Sequence, residues 1–107
     1  MDSERVRILI VDDDETFLGD LARLMTDRYE IVVAHDAKEA FSAHEQLGFD
    51  AVLLDIDLGR GVDGFEILET FQGSEPNLPI IMVTRDSSAA SATAALKKGA
   101  VDYIDKR

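Results

Sequence analysis

The chain predicts an α/β fold, a doubly wound parallel sheet with helices on both faces, and three observations carry that expectation. Short apolar runs that do not alternate with polar residues recur along it, Ile8-Leu9-Ile10-Val11 and Ala51-Val52-Leu53-Leu54 being the clearest. Runs of that kind suit strands buried on both faces. Stretches of helical spacing separate them, and strict β-α alternation implies parallel strands joined by right-handed crossovers. Finally, the first run ends in Asp12-Asp13-Asp14 and the other in Asp55. Carboxylates at the carboxyl ends of buried strands stand where open α/β sheets place their ligand sites.

Taken in order, Ile8 to Val11 is the first strand. Phe17, Leu18, Leu21, Leu24 and Met25 then form one apolar helical stripe. Ile31 to Ala34 is the second strand. Asp36 caps a helix with Glu39 three residues on in capping-box position, Phe41 on its inner face and Gly48 as its stop. The central strand runs from Ala51 to Asp55. After a glycine-rich turn, Asp63 caps a helix carrying Phe65, Ile67, Leu68 and Phe71, stopped by Gly73 and Pro76. Pro79 to Thr84 is a fourth strand. A weak alanine-rich helix from Ser88 to Lys98 ends at Gly99, and Val101 to Ile104 makes a fifth strand.

At 107 residues the chain fits one domain, residues 1–107, with a single core. Acids outnumber bases 22 to 11, for a formal charge of -11, which repels phosphate backbones and argues against direct nucleic-acid binding. With no cysteine, a disulfide framework and a thiolate metal site are excluded. No apolar run approaches the roughly 20 residues that span a bilayer, and Met1 to Arg5 lead straight into a strand rather than a secretory signal. The expectation is a soluble cytoplasmic protein with no membrane partner.

Parallel strands share a direction, so their carboxyl ends converge on one rim. Asp12 and Asp13 end the first strand, Asp55 the third, Thr84 the fourth and Lys106 the fifth. Clustered carboxylates repel one another unless a cation neutralises them, and hard oxygen ligands suit Mg²⁺. Mg²⁺ beside a carboxylate and a lysine is an arrangement for phosphoryl transfer, the metal and ammonium holding oxygens while the carboxylate attacks phosphorus in line. His35 and His44 fall outside this set and are expected to be structural.

With these residues in view, the chain resembles the receiver domain of the two-component response-regulator family over almost its whole length. The match is carried by Ile8 to Asp14, Leu53 to Leu58, Asp63-Gly64, Ile80 to Thr84 and Lys98 to Lys106. The resemblance implies a flavodoxin-like five-stranded sheet of order 2-1-3-4-5. It implies Asp55 as phosphoacceptor, Asp13 as a direct Mg²⁺ ligand, Asp12 as a ligand largely through water, and the main-chain carbonyl of Asp57 as a further ligand. Thr84 would hydrogen-bond the phosphoryl group and Lys106 would pair with it, with Thr84 and Tyr103 as the switch pair. Tyr103 also reads as an ordinary half-buried strand tyrosine. The implied partner is a sensor histidine kinase or a phosphotransfer protein.

The chain departs from the family pattern at four places. Gly59 replaces a proline four residues after the acceptor, and the loop to Asp63-Gly64 is one residue longer. Arg85 replaces a small residue after the threonine, and Arg107 a proline after the lysine. Asp57 and Arg85 are therefore expected to modulate the lifetime of the phosphorylated form, Arg85 by pairing with Asp57 or with a phosphoryl oxygen. The usual fifth helix is missing from the sequence. Val101 and Ile104 should then be partly uncovered, favouring self-association. Two rival readings stand beside this one. Gly59, Gly61 and Gly64 spell a dinucleotide-type glycine motif, with Asp86 about twenty residues on. Asp55 and Asp57 resemble the nucleophile motif of haloacid-dehalogenase-type phosphohydrolases, although the order of the acids is reversed here.

Overall fold

The computed structural model describes residues 5–58, 64–85 and 88–105. Strands and helices alternate as β1 (Arg7–Val11), α1 (Glu15–Met25), β2 (Glu30–Ala34), α2 (Ala37–Leu47), β3 (Ala51–Leu54), α3 (Gly64–Ser74), β4 (Ile80–Thr84), α4 (Ala89–Lys97) and β5 (Asp102–Asp105). The five strands form one parallel sheet in the order β2-β1-β3-β4-β5. This is the doubly wound α/β, flavodoxin-like architecture expected from the sequence.

Alternation along the strands divides the core in two. On one face Leu9, Val11, Val52, Leu54, Ile80 and Met82 pack under α2, α3 and α4, whose Ala40, Ile67, Leu68, Phe71 and Ala95 complete the larger core. On the other, Ile8, Ile10 and Leu18 form a smaller cluster edged by half-buried Leu21, Met25, Ile31, Val33, Ala51 and Leu53. β1 is buried on both faces past Arg7, as its unbroken apolar run suggested, whereas β3 is buried on the α3 side and only half-buried on the α1 side. Leu24, expected on the inner stripe of α1, is 79 % exposed. It lies at the margin of that stripe, and the face beneath α1 is the thinly covered one.

Local signals set most element ends. Asp14 caps α1, its side chain accepting from Phe17 N–H, and Asp36 caps α2 by accepting from Glu39 N–H. Glu39 does not close the expected capping box onto Asp36; its carboxylate accepts instead from the backbone N–H of His35, one residue earlier. Gly48 ends α2 at φ 71°, a left-handed backbone that side-chain-bearing residues resist. Contrary to expectation, α3 runs through Gly73 to Ser74. A helical glycine costs only about 1 kcal/mol, which the burial of Phe71 beside it outweighs. The last strand is displaced one residue from the expected Val101 to Ile104, because the ladder pairs Ile81 with Asp102. Asp63, the expected cap of α3, lies outside the described residues.

Candidate functional site

Register places the acids. Val11 pairs with Leu54, so the next residues on those strands, Asp12 and Asp55, emerge side by side at the carboxyl rim. The ladder continues past the strand ends: Asp12 N–H donates to Ala34 O and Asp55 N–H to Val11 O, each at 3.0 Å. Both aspartates then make the same turn. Asp12 Oδ1 accepts from Asp14 N–H at 2.9 Å, and Asp55 Oδ1 from Asp57 N–H at 3.3 Å. Such Asx turns commit one oxygen of each carboxylate to its own loop. Each side chain is thereby fixed in direction before any ligand arrives.

Carboxylate oxygens of Asp12, Asp13 and Asp55 lie within 4.8 Å of one another. Asp12 is 1 % exposed and Asp55 6 %, whereas Asp13 is open to solvent. Two nearly buried acids and one accessible acid make a hard-oxygen site with an open side, which fits a divalent cation that keeps part of its water shell. Burying such charges is costly unless a cation compensates them. Thr84, the last residue of β4, is 2 % exposed and stands on the same rim, one strand beyond β3. Tyr103 pairs with Met82 across β4 and β5, half-buried against the larger core. Lys106 lies outside the described residues, as do Gly59 and Gly61; the residue before Lys106, Asp105, pairs with Thr84.

Gly64 opens α3, its N–H donating to Ile56 O at 2.6 Å. A Cβ added there would meet Ile56 Cα at 2.8 Å and the Asp55 carbonyl carbon at 2.9 Å, with the Asp55 carbonyl oxygen closer still. The glycine lets α3 seat directly behind the acid at the end of β3. It is a packing glycine, tied to the chain beneath it, rather than part of a cradle for a dinucleotide.

The chain and its strand order are similar to those of known proteins. The response regulator receiver domain family matches residues 8–107. The chain belongs to that family. As a receiver domain it is a phosphoacceptor signalling module, and neither rival reading is favoured. It is 36% identical over 107 residues to the transcriptional regulatory protein ZraR of Klebsiella oxytoca, covering 99% of this chain and 24% of that one. The crystal structure of a CheY-like response regulator receiver domain protein from Methanospirillum hungatei superposes with a TM-score of 0.87 at 35% identity, over 96% of this chain and 82% of that one. A response regulator from Burkholderia pseudomallei, solved with a phosphorylated aspartic acid, a calcium ion and citrate, superposes with a TM-score of 0.86 at 31% identity, over 94% of this chain and 59% of that one. This receiver domain spans less than half the length of the curated relatives it matches.

Two features of the rim were not foreseen. Arg85 does not reach Asp57: its Nη2 lies 3.2 Å from Asp14 Oδ2. Strand order held the clue, since β1 and β4 flank β3 and a long cation after one can meet an acid after the other. His35, read as remote from the rim, follows the last residue of β2 and so stands on it. Its Nε2 lies 2.6 Å from Glu15 Oε1 and its Nδ1 2.9 Å from Glu39 Oε1, tying the first turns of α1 and α2 together. The hydrogen bond to Glu39 is the main reason its pKa is raised above 6.5; burial opposes it, and the charges of Glu39 and Glu15 and the hydrogen bond to Glu15 add to the rise. His44 is the structural residue expected, stacked on Phe49 and edge-on to Phe71. No helix among the described residues is long and apolar enough to cross a membrane.

Proposed function

We propose that this receiver domain, residues 1–107, takes a phosphoryl group onto Asp55 from a sensor histidine kinase or phosphotransfer protein and thereby controls a partner or output domain. The observation that carries the proposal is the convergence of Asp12, Asp13 and Asp55, two of them nearly buried, at the ends of adjacent strands. The phosphorylated aspartic acid of the Burkholderia relative supports it. Mg²⁺ would be held by Asp13 and Asp55, by Asp12 largely through water, and by the main-chain carbonyl of Asp57. When bound it supplies positive charge against the phosphoryl oxygens. An Asp55 oxygen attacks phosphorus as the donor's bond to it breaks, with the Thr84 hydroxyl and Lys106 ammonium holding the oxygens of the transferred group. Thr84 then moves toward the phosphoryl group and Tyr103 follows as the switch.

On this reading the domain is not an enzyme. It accepts one group from a high-energy donor and assists its own phosphorylation and dephosphorylation, in the cytoplasm and without contacting nucleic acid or membrane. Self-association belongs to the same proposal, supported by Val101, 59% exposed just before β5, and Ile104, 46% exposed within it. Acetyl phosphate or phosphoramidate with Mg²⁺ should add one hydroxylamine-labile phosphoryl group. EDTA or Asp55→Asn should abolish it, and full labelling of the Asn variant would overturn the assignment.

A further inference from the structure

The Arg85–Asp14 ion pair crosses the mouth of the acid pocket. Asp14 follows β1 in the β1–α1 loop and Arg85 follows β4, and β3, which carries Asp55, runs between those two strands. Neighbouring strands stand about 4.8 Å apart. An arginine just past β4 that reaches the loop after β1 has therefore already covered the distance to a group borne at the end of β3.

Asp14 is a fixed anchor. Its Oδ1 accepts from Phe17 N–H at 3.1 Å as the helix cap, its own N–H donates to the ligand Asp12, and Oδ2 faces Arg85. Arg85 is the opposite: its side chain is 71% exposed. A solvated pair of this kind biases a side chain's position by about fivefold or less, so the guanidinium exchanges partners readily. A phosphoryl group on Asp55 would present a second anion, doubly charged, with a planar edge that the guanidinium fork matches with two parallel hydrogen bonds.

We propose that Arg85 is a phosphoryl clamp held in reserve by Asp14, shifting from the Asp14 carboxylate to the phosphoryl oxygens once Asp55 is phosphorylated, and that the competition between the two anions sets the lifetime of the phosphorylated form. The proposal rests on Asp55 as the acceptor. In the hydrolysis that ends that lifetime, a water oxygen bonds to phosphorus while the bond from phosphorus to the Asp55 oxygen breaks. The Asp55 carboxylate is restored, and inorganic phosphate leaves with the oxygen and protons of the water. A guanidinium lying on the phosphoryl oxygens narrows the path of that water; one lying on Asp14 does not.

The clamp gives the two variants that break the same ion pair opposite effects. Arg85→Gln removes the clamp and should shorten the lifetime about three- to fivefold. Asp14→Asn keeps a cap-competent side chain but releases Arg85 to the phosphoryl group, and should lengthen the lifetime by a similar factor. In an Arg85→Gln background, Asp14→Asn should change nothing. Lifetimes are read by loss of the phosphorylated species after removal of phosphoramidate, at saturating Mg²⁺. As an independent readout, the Arg85 Nε–H NMR resonance should shift on phosphorylation of the wild type and more completely in Asp14→Asn. Lifetimes that move in the same direction, or stay unchanged, in the two single variants overturn the clamp while leaving Asp55 as acceptor. Failure of the wild-type protein to label at Asp55 overturns the acceptor assignment and the clamp with it.

Discussion

Gly64→Ala is the most telling single-atom perturbation of this domain. The added methyl would stand 2.8 Å from Ile56 Cα and 2.9 Å from the Asp55 carbonyl carbon, and closer to the Asp55 carbonyl oxygen. Carbon atoms rest comfortably at about 3.5–4.0 Å, so the main chain on one side must retreat by roughly 1 Å. No flexible side chain is available to yield, because every one of the three nearest atoms is backbone. Overpacking of this kind costs about 1–3 kcal/mol, and the rigid surroundings place it at the upper end. For a domain of this size a loss of about 3 kcal/mol lowers the melting temperature by about 10–20 °C. The retreating segment carries Asp55. A misplacement of about 1 Å at a reacting group can cost on the order of 10²-fold in rate, so labelling by acetyl phosphate should slow by tenfold or more even in the folded fraction. Thermal unfolding and initial labelling rates at a temperature well below the transition measure the two effects separately. An alanine variant that melts within a few degrees of wild type and labels at the wild-type rate would refute the close seating of α3 behind the acceptor.

Other outcomes follow from the same coordinates. Gly19→Ala, in the middle of α1 with nothing within 4 Å of the new methyl, should be neutral or stabilise the protein by up to about 1 kcal/mol in urea unfolding. His35 has a pKa raised above 6.5 in the folded state, so its bridge to Glu15 and Glu39 contributes fully below pH 6.5 and is lost as pH rises through the raised value. Its half-exposed side chain limits the gain to about 0.2–1 kcal/mol. A His35→Gln variant should therefore lose that margin at pH 6 and match wild type at pH 9 in urea titrations; an equal deficit at both pH values would contradict the bridge. Glu39 is held below its usual value chiefly by the backbone N–H of His35, so its own share fades only as pH falls below 4.5. Sedimentation across a dilution series should reveal dimers at high concentration that Ile104→Glu removes, whereas a strictly monomeric wild type would exclude association through β5.

Much of this molecule was legible in its residues because parallel sheets advertise themselves. The unbroken apolar runs fixed β1, β3 and β4, and the aspartates that follow β1 and β3 could converge only if those strands were neighbours and parallel. The helix cap at Asp36 was legible because a short polar side chain satisfies N–H groups that would otherwise be bare. What escaped the sequence was pairing between side chains on different loops. Arg85 had several acids within plausible reach, and only strand order and the conformation of the β1–α1 loop select Asp14 over Asp57. His35 looked inert because its partners are 20 residues before and four residues after it, on two separate helices. Leu24 carried the right spacing for burial, but spacing does not reveal how broad a face a helix finds to lie on.

The unequal cores on the two sides of the sheet bear on which part of the domain lets go first. Helix α3 is pinned by Ile67, Leu68 and Phe71, all within the larger cluster, whereas α1 contributes Leu18 alone as a fully buried residue. Free energy for local opening scales with the apolar contact that must be surrendered. Amide hydrogens along α1 should therefore exchange with solvent sooner than those of α3, through partial openings that leave β3 and β4 intact. The acid pocket straddles that divide: Asp55 stands on the slow-exchanging side, and Asp13 and Asp14 on the segment leading into the fast one. A cation drawing Asp12 and Asp13 toward Asp55 would stitch the two sides together, and slowed exchange along α1 on adding Mg²⁺ would be its signature.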